Sequence, residues 1–536
     1  MIAIASFPRT RTTRKGGAAL LALLLLLLAS CANEPPAAAS GGSGASTSAA
    51  AMPAVDGAKF ANRITWGADT ATVRRVAQVG PRAYLDAQLR PQLAAPLPAE
   101  VQARIDAMSI VQKPMDVLAR EMEQRRKDAD AITDDEQKKA AQQAYQQDLN
   151  RLTRESATRH LLRALYSPAQ LQEQMTWFWL NHFNVHQYKS NIRVLVGDYE
   201  ERALRAHALG HFRDLLRATV YHPAMLRYLD NEQNAAGRIN ENYARELMEL
   251  HTLGVNGGYT QRDVQELARI LTGLGVTLNT AVPNVKRELQ AQYVRNGLFE
   301  FNPNRHDYGD KVFLGATVKG RGLAEVDEAI DRLARHPATA RFISRKLAIY
   351  FVADEPPQAL VDRMARSFTQ SDGDIATVLR TLFTAPEFAA SLGHKFKDPM
   401  HYVVSAVRLA YDGKLIVNAT PAVNWLNRMG EPLYGRQTPD GYSMIESSWA
   451  SPGQMSTRFE IAKALGTGSA GLFRPEASRP DDKPADRPAF PQLANALYYE
   501  FLQKGLSPAT RQALDQATSP QEWNTFFLSS PEMMNR

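Results

Sequence analysis

From about residue 57 to the C-terminus, apolar side chains recur with the 3.6-residue period of an α-helix. That regularity points to helix packed on helix. The punctuation agrees with it. Ser167-Pro168-Ala169-Gln170 has the form of a capping box with Pro at the first helical position, and predicts a helix with Leu171, Met175, Trp179 and His182 on one stripe. Asn240 reads as the cap of a helix that stops near Gly254. Thr260 with Asp263 starts another, which places Val264, Leu267, Ala268 and Leu271 at i, i+3, i+4 and i+7 before Gly273 ends it. Residues 241–273 are therefore expected as a helix–loop–helix pair, with further helices at 322–336, 337–352, 356–369 and 374–383.

Other stretches break the pattern. The charged, Gln-rich region 113–156 reads as a long solvated helix or hairpin arm, touching the body through Ile132, Ala140 and Leu149. β-Branched and aromatic residues in 274–320 suggest loops and a short β-hairpin, and 412–457 and 473–490 read as irregular. No fixed-period repeat supports a solenoid. The expected fold class is mainly α: one large multi-helix domain over 57–536, with irregular loops.

The N-terminus is of another kind. Residues 1–30 carry Arg9, Arg11, Arg14 and Lys15 and no acid, followed by the Leu-rich run Ala18–Ala29, which is short for a membrane-spanning helix. The run ends in Leu28-Ala29-Ser30-Cys31, like a bacterial lipobox, and Cys31 is the single cysteine of the 536 residues. This reads as a lipoprotein signal peptide over 1–30, lipidation at Cys31 and a flexible Ala/Ser/Gly tether over 31–56. The alternatives are an uncleaved N-terminal anchor or cleavage before Ala32. Ala32, in place of the Asp that commonly retains lipoproteins at the inner membrane, favours a lipid anchor in the outer membrane. The expected address is the cell envelope. Losing the signal takes the formal charge from +7 to +3. The remainder has no outstanding basic patch, which argues against a nucleic-acid partner. One cysteine rules out an intramolecular disulfide and a four-cysteine zinc site.

Candidate chemistry is sparse. His182 and His186 are four apart, a spacing that on a helix lets two imidazoles share a divalent metal. Glu246 and Glu249 or His306-Asp307 are the possible further donors, giving His182, His186 and His306 as metal candidates and Glu246, Glu249 and Asp307 as catalytic carboxylates. The competing reading is hydrogen-bonded structural histidines; His207 and His211 repeat the spacing without further motif. Asn240, Glu241, Asn242 and Arg245 form a polar network in which Arg245 can pair with Glu241 or Glu249, either an acid–base arrangement or an ion-pair lattice that fixes helix register. Gly466-Thr467-Gly468-Ser469-Ala470-Gly471 fits G-x-G-x-x-G but follows a helix, so it reads as a loop. Ser371-Asp372-Gly373-Asp374 lacks the later ligands of a calcium loop and reads as a turn and cap. Trp177, Phe178, Trp179 and Phe183 read as core.

Taken in order, several stretches resemble the domain-of-unknown-function 1800 family of bacterial secreted and envelope proteins. They include Asn62-Arg63-Ile64-Thr65-Trp66-Gly67-Ala68-Asp69, Trp179-Leu180-Asn181-His182-Phe183 and Tyr228-Leu229-Asp230-Asn231. The strongest runs from Asn240 to Gly275; His306-Asp307-Tyr308-Gly309, His336-Pro337-Ala338-Thr339-Ala340, Met429-Gly430-Glu431-Pro432-Leu433 and Thr438-Pro439-Asp440-Gly441-Tyr442 continue it. The resemblance implies a predominantly helical, exported protein without an established activity, and supplies no catalytic residues. Members often carry His where this chain has Leu180. The resemblance also implies association with a secreted, sulfatase-like partner. Two functions are therefore expected: a binding or assembly role on the envelope beside that partner, or a metal-dependent hydrolase acting on an envelope or extracellular substrate.

Overall fold

A computed structural model describes residues 52–475 and 490–536. The signal peptide, Cys31, the tether as far as residue 51 and most of the irregular stretch 473–490 lie outside the described residues. Ala51–Arg536 form one compact unit with its own hydrophobic core.

The unit is mainly α. Two helices are buried nearly all round: Gln170–His182, and Pro399–Tyr411, in which every residue is buried. Apolar residues on every side of a short helix require packing on every side. A third helix, Pro337–Phe351, joins them where Gln174, Tyr350 and His401 meet. Trp66 is wedged between the first two: its backbone N–H donates to Gln170 Oε1 at 3.0 Å, and its ring lies 4.6 Å from that of His401. The chain beside it comes so close that a Cβ on Gly67 would sit 2.5 Å from Ser405 Cβ. Trp177, Phe178, Trp179 and Phe183 are all buried, as the core reading expects.

The charged arm is a helical hairpin, Met115–Ala131 against Asp135–Tyr166, with Asp134 capping the second helix through Gln137 N. The long helix has 32 residues and spans roughly 48 Å. The hairpin buries Leu118 and Met122 of the first helix and Tyr145, Leu149 and Leu152 of the second, whereas Ala140 is exposed. The helices expected between 322 and 383 appear as Leu323–Arg335, Pro337–Phe351, Gln358–Gln370 and Ile375–Phe383, the last capped by Asp374.

The region 274–320 holds more strand than one hairpin. β1 (Leu274–Val276), β2 (Val294–Asn296) and β3 (Phe299–Phe301) form an antiparallel sheet in the order β1-β3-β2. β4 (Lys311–Phe313) and β5 (Ala316–Val318) form a separate hairpin. Its turn, Leu314-Gly315, has positive φ at both positions, 49° and 77°, as a two-residue hairpin turn demands. Leu314 N donates to Asp263 Oδ1, which ties the turn to the start of the preceding helix Gln261–Ile270. The stretch 412–457 is not wholly irregular either, since Thr420–Arg428 is helical.

Two local expectations are corrected. The Gln170–His182 helix starts later than the capping box predicts, because Gln170 Nε2 bonds Ala164 O and Ser167 O and its Oε1 takes Trp66 N. It also stops at His182, so His186 lies beyond the helix and the two imidazoles do not share a helix face.

Candidate functional site

The end of the Gln170–His182 helix is where the separated sequence motifs converge. Beyond it, the loop from Gly430 to Trp449 folds over Asn181 and Lys346 and leaves an open cleft. Asn181 clips the loop in place: its Nδ2 donates to Tyr442 O at 2.9 Å and its Oδ1 accepts from Tyr442 N at 2.5 Å. Asn184 Nδ2 holds the carbonyls of Arg436 and Thr438, and the Tyr228 hydroxyl holds that of Gln437. Side chains near 181–228 thus satisfy a loop more than 200 residues away, and a loop with its carbonyls so engaged forms a fixed wall.

Lys346 forms the floor. Its Nζ lies 2.8 Å from His182 Nδ1, and His182 Nε2 lies 3.0 Å from His251 O. A carbonyl accepts only, so Nε2 carries the imidazole hydrogen and Nδ1 accepts from the lysine ammonium. Burial first, then the Lys346 charge, keeps His182 neutral well below the usual histidine range. Burial lowers Lys346 to about 8, while Asp440 opposes the shift. Asp440 is itself committed to Arg436, which grips it with two nitrogens, and to the Thr438 hydroxyl at 2.5 Å. The cleft therefore presents a lysine held by a neutral imidazole, with no carboxylate among the described residues bonded to it. His251, fully buried, leaves both ring nitrogens unpartnered and is pushed down to about 3 by burial and by Lys346.

The residues singled out in the sequence are only partly gathered here. Glu246 is half-buried on the helix Asn242–Glu249, and its carboxyl is raised by burial, by Glu249 and by Asp440, which places it in electrostatic reach of the cleft wall. Glu249 neighbours Tyr259 instead. His186 is half-buried, with its ring 5.5 Å from Tyr188 and Nδ1 unpartnered. His306 is elsewhere: its Nε2 meets Glu325 Oε1 at 2.9 Å and its Nδ1 meets Thr272 O at 2.8 Å. Asp307 clasps Arg269, which holds its carboxyl below the usual range. His182, His186 and His306 do not form one ligand set. Among the described residues, no group of three or more His, Cys, Asp or Glu side chains is placed to hold a metal ion.

Asn240, Glu241, Asn242 and Arg245 build a lattice. Arg245 pairs with Glu241 at 3.1 Å, not with Glu249, and both meet Gln261 of the next helix. Asn240 accepts from Asn242 N and donates its own N–H to Asn234, while Asn242 Nδ2 holds Leu229 O. The helix consequently begins at Asn242, two residues after the expected cap.

Lys346, Asp440 and Asn181 were not among the expected site residues. A signal for Lys346 was present: Ile343, Leu347 and Tyr350 line the buried stripe of their helix, and Lys346 falls within that stripe, where a lysine is out of place.

This architecture defines a class: a mainly helical unit whose cleft is closed by a loop clipped to the end of a buried helix. The chain belongs to the family described as protein of unknown function, DUF1800, whose model matches residues 59–535. No curated protein and no solved structure matches it. No described helix is long and apolar enough to cross a membrane.

Proposed function

We propose that the protein is a lipid-anchored binding component of the cell envelope, and that the Lys346 cleft receives a carboxylate of an envelope polymer. One observation carries this reading: the lysine on the cleft floor rests on a neutral imidazole, with its charge uncompensated by a bonded carboxylate of any described residue. A cation so placed favours an oxyanion, because partial burial strengthens the attraction that water would screen. Arg436, Ser443 and the backbone of the clipped loop offer polar contacts around it. The lipobox and tether read from the sequence would display the cleft at a membrane surface, with a secreted protein as its working partner.

The test is calorimetric titration of the unit 51–536 with soluble peptidoglycan fragments that retain their free carboxylates. Saturable binding is expected, at least tenfold weaker in Lys346→Met and in fragments whose carboxylates are amidated. Equal affinity for wild type and Lys346→Met would overturn the reading.

A further inference from the structure

A second cavity shares no lining residue with the Lys346 cleft. It lies between the first helix, Gly57–Ile64, and the C-terminal segments. Its walls are largely apolar, supplied by Leu409, Phe501, Leu506, Phe527 and Met533. Asp56 and Lys59 are exposed at its rim.

Lys397 and Glu532 are charged residues in this wall, and Glu532 is engaged by Ser507 N at 2.7 Å and by the Thr510 hydroxyl at 2.8 Å. Lys397 is only 2% exposed, it lines the cavity, and its ammonium has no hydrogen bond or ion pair with any described residue. The nearby carboxylates are engaged elsewhere: Asp398 accepts from His401 Nδ1 at 2.8 Å and from His401 N at 2.7 Å, and Glu431 accepts from Met400 N at 2.8 Å. Other cations crowd it. Arg458 donates to the carbonyl of Lys397 itself, and Arg458 and Arg536 add to burial in lowering the amine to about 7. An unpaired ammonium in an apolar enclosure is costly, and an anion delivered with an apolar body removes that cost.

We propose that this cavity binds a single-chain aliphatic carboxylate, a fatty acid, with its head group on Lys397 Nζ and its chain along Leu409, Phe501, Leu506, Phe527 and Met533. The walls suit the chain because they provide apolar area without hydrogen-bonding demand. The head group has one place to go, since Lys397 is the deeply buried cation on the lining.

The experiment is titration of the unit 51–536 with dodecanoate, 1-dodecanol, dodecyltrimethylammonium and a lysophosphatidylcholine bearing the same chain. Dodecanoate should bind with one-to-one saturation, the alcohol at least tenfold more weakly, and the cationic amphiphile not measurably. Lys397→Met should lose at least tenfold in dodecanoate affinity while keeping the alcohol. Leu506→Trp, which fills the cavity and leaves Lys397 in place, should weaken both. Lysophosphatidylcholine binding as tightly as dodecanoate, dodecanoate binding unchanged by Lys397→Met, or no saturable binding of dodecanoate would each overturn the proposal.

Discussion

Gly441 supports a quantitative test of how the cleft is built. It has φ +76°, and a Cβ there would lie 2.1 Å from the backbone oxygen of Asn181 and 2.7 Å from Asn181 Oδ1. Gly430 is the internal control. It lines the same cleft at φ +79°, and a Cβ there would meet nothing within 4 Å. Alanine at Gly430 therefore costs only the left-handed backbone, about 1–2 kcal/mol. Alanine at Gly441 costs that and the clash besides. The clashing atom is the carbonyl of a buried helix end, which cannot retreat, so the loop must move instead. Moving it breaks the paired Asn181–Tyr442 hydrogen bonds, each contributing about 1 kcal/mol. Gly441→Ala is expected to destabilise by about 3–4 kcal/mol and Gly430→Ala by about half as much or less. Guanidinium unfolding followed by tryptophan fluorescence reads the difference, because the Trp177 and Trp449 rings each lie 6.4 Å from that of Tyr442. The comparison requires equal m-values in the two variants. Equal destabilisation by the two alanines would refute the clip as the element that fixes the loop.

Perturbations at three further sites follow from buried charge and capping. Glu325, fully buried, accepts from Lys311 Nζ, His306 Nε2 and Gly322 N, so Glu325→Ala should cost about 3–5 kcal/mol by stranding Lys311, measured as a shift in denaturation midpoint. His306 and Lys311 hold its carboxyl below the usual range against burial, so its contribution is complete above the unfolded value of about 4.3 and is lost as pH falls through the lower folded value; the acid limb of stability should flatten in Glu325→Gln. Lys346 is shifted the other way for a base: between its folded value of about 8 and the unfolded value of about 10.4 the unfolded chain binds more protons, so stability should rise across that window, and Lys346→Met should remove that part of the rise in pH-dependent unfolding. Thr260→Ala removes a capping box in which Asp263 N reaches the hydroxyl at 3.2 Å, and should lower stability by about 1 kcal/mol in thermal unfolding.

What the sequence revealed and what it hid divide by range of interaction. The Thr260–Asp263 box, the Asp374 cap and the helices from 323 to 383 rest on side chains within a few positions of one another, and a local pattern suffices to find them. The Gln170–His182 helix shows the opposite at both ends. Gln170 is drawn off by Trp66, and beyond His182 the segment 184–187 is engaged by the loop 433–438, through Asn184 Nδ2 and through Gln187 N on Tyr434 O. A period of 3.6 predicts a continuing helix because it contains nothing about partners some 250 residues away. The same limit explains the candidate metal ligands. His182 and His186 were neighbours only on an assumed helix, whereas His182 in the fold is occupied by Lys346 and the His251 carbonyl. Lys346 was hidden for a related reason: a lysine in a helix reads as a solvated residue unless its position on the apolar stripe is weighed against its charge. A charged residue on such a stripe marks either a buried pair or an open binding position, and the sequence does not contain the partner that separates the two. In this fold Glu325 supplies that partner for Lys311, while the lysines at 346 and 397 line cavities with no carboxylate among the described residues bonded to them. Burying a charge without an opposite charge beside it adds nothing to folding that an apolar side chain would not add more cheaply. These two positions are therefore better explained by what enters the cavities than by what holds the fold together.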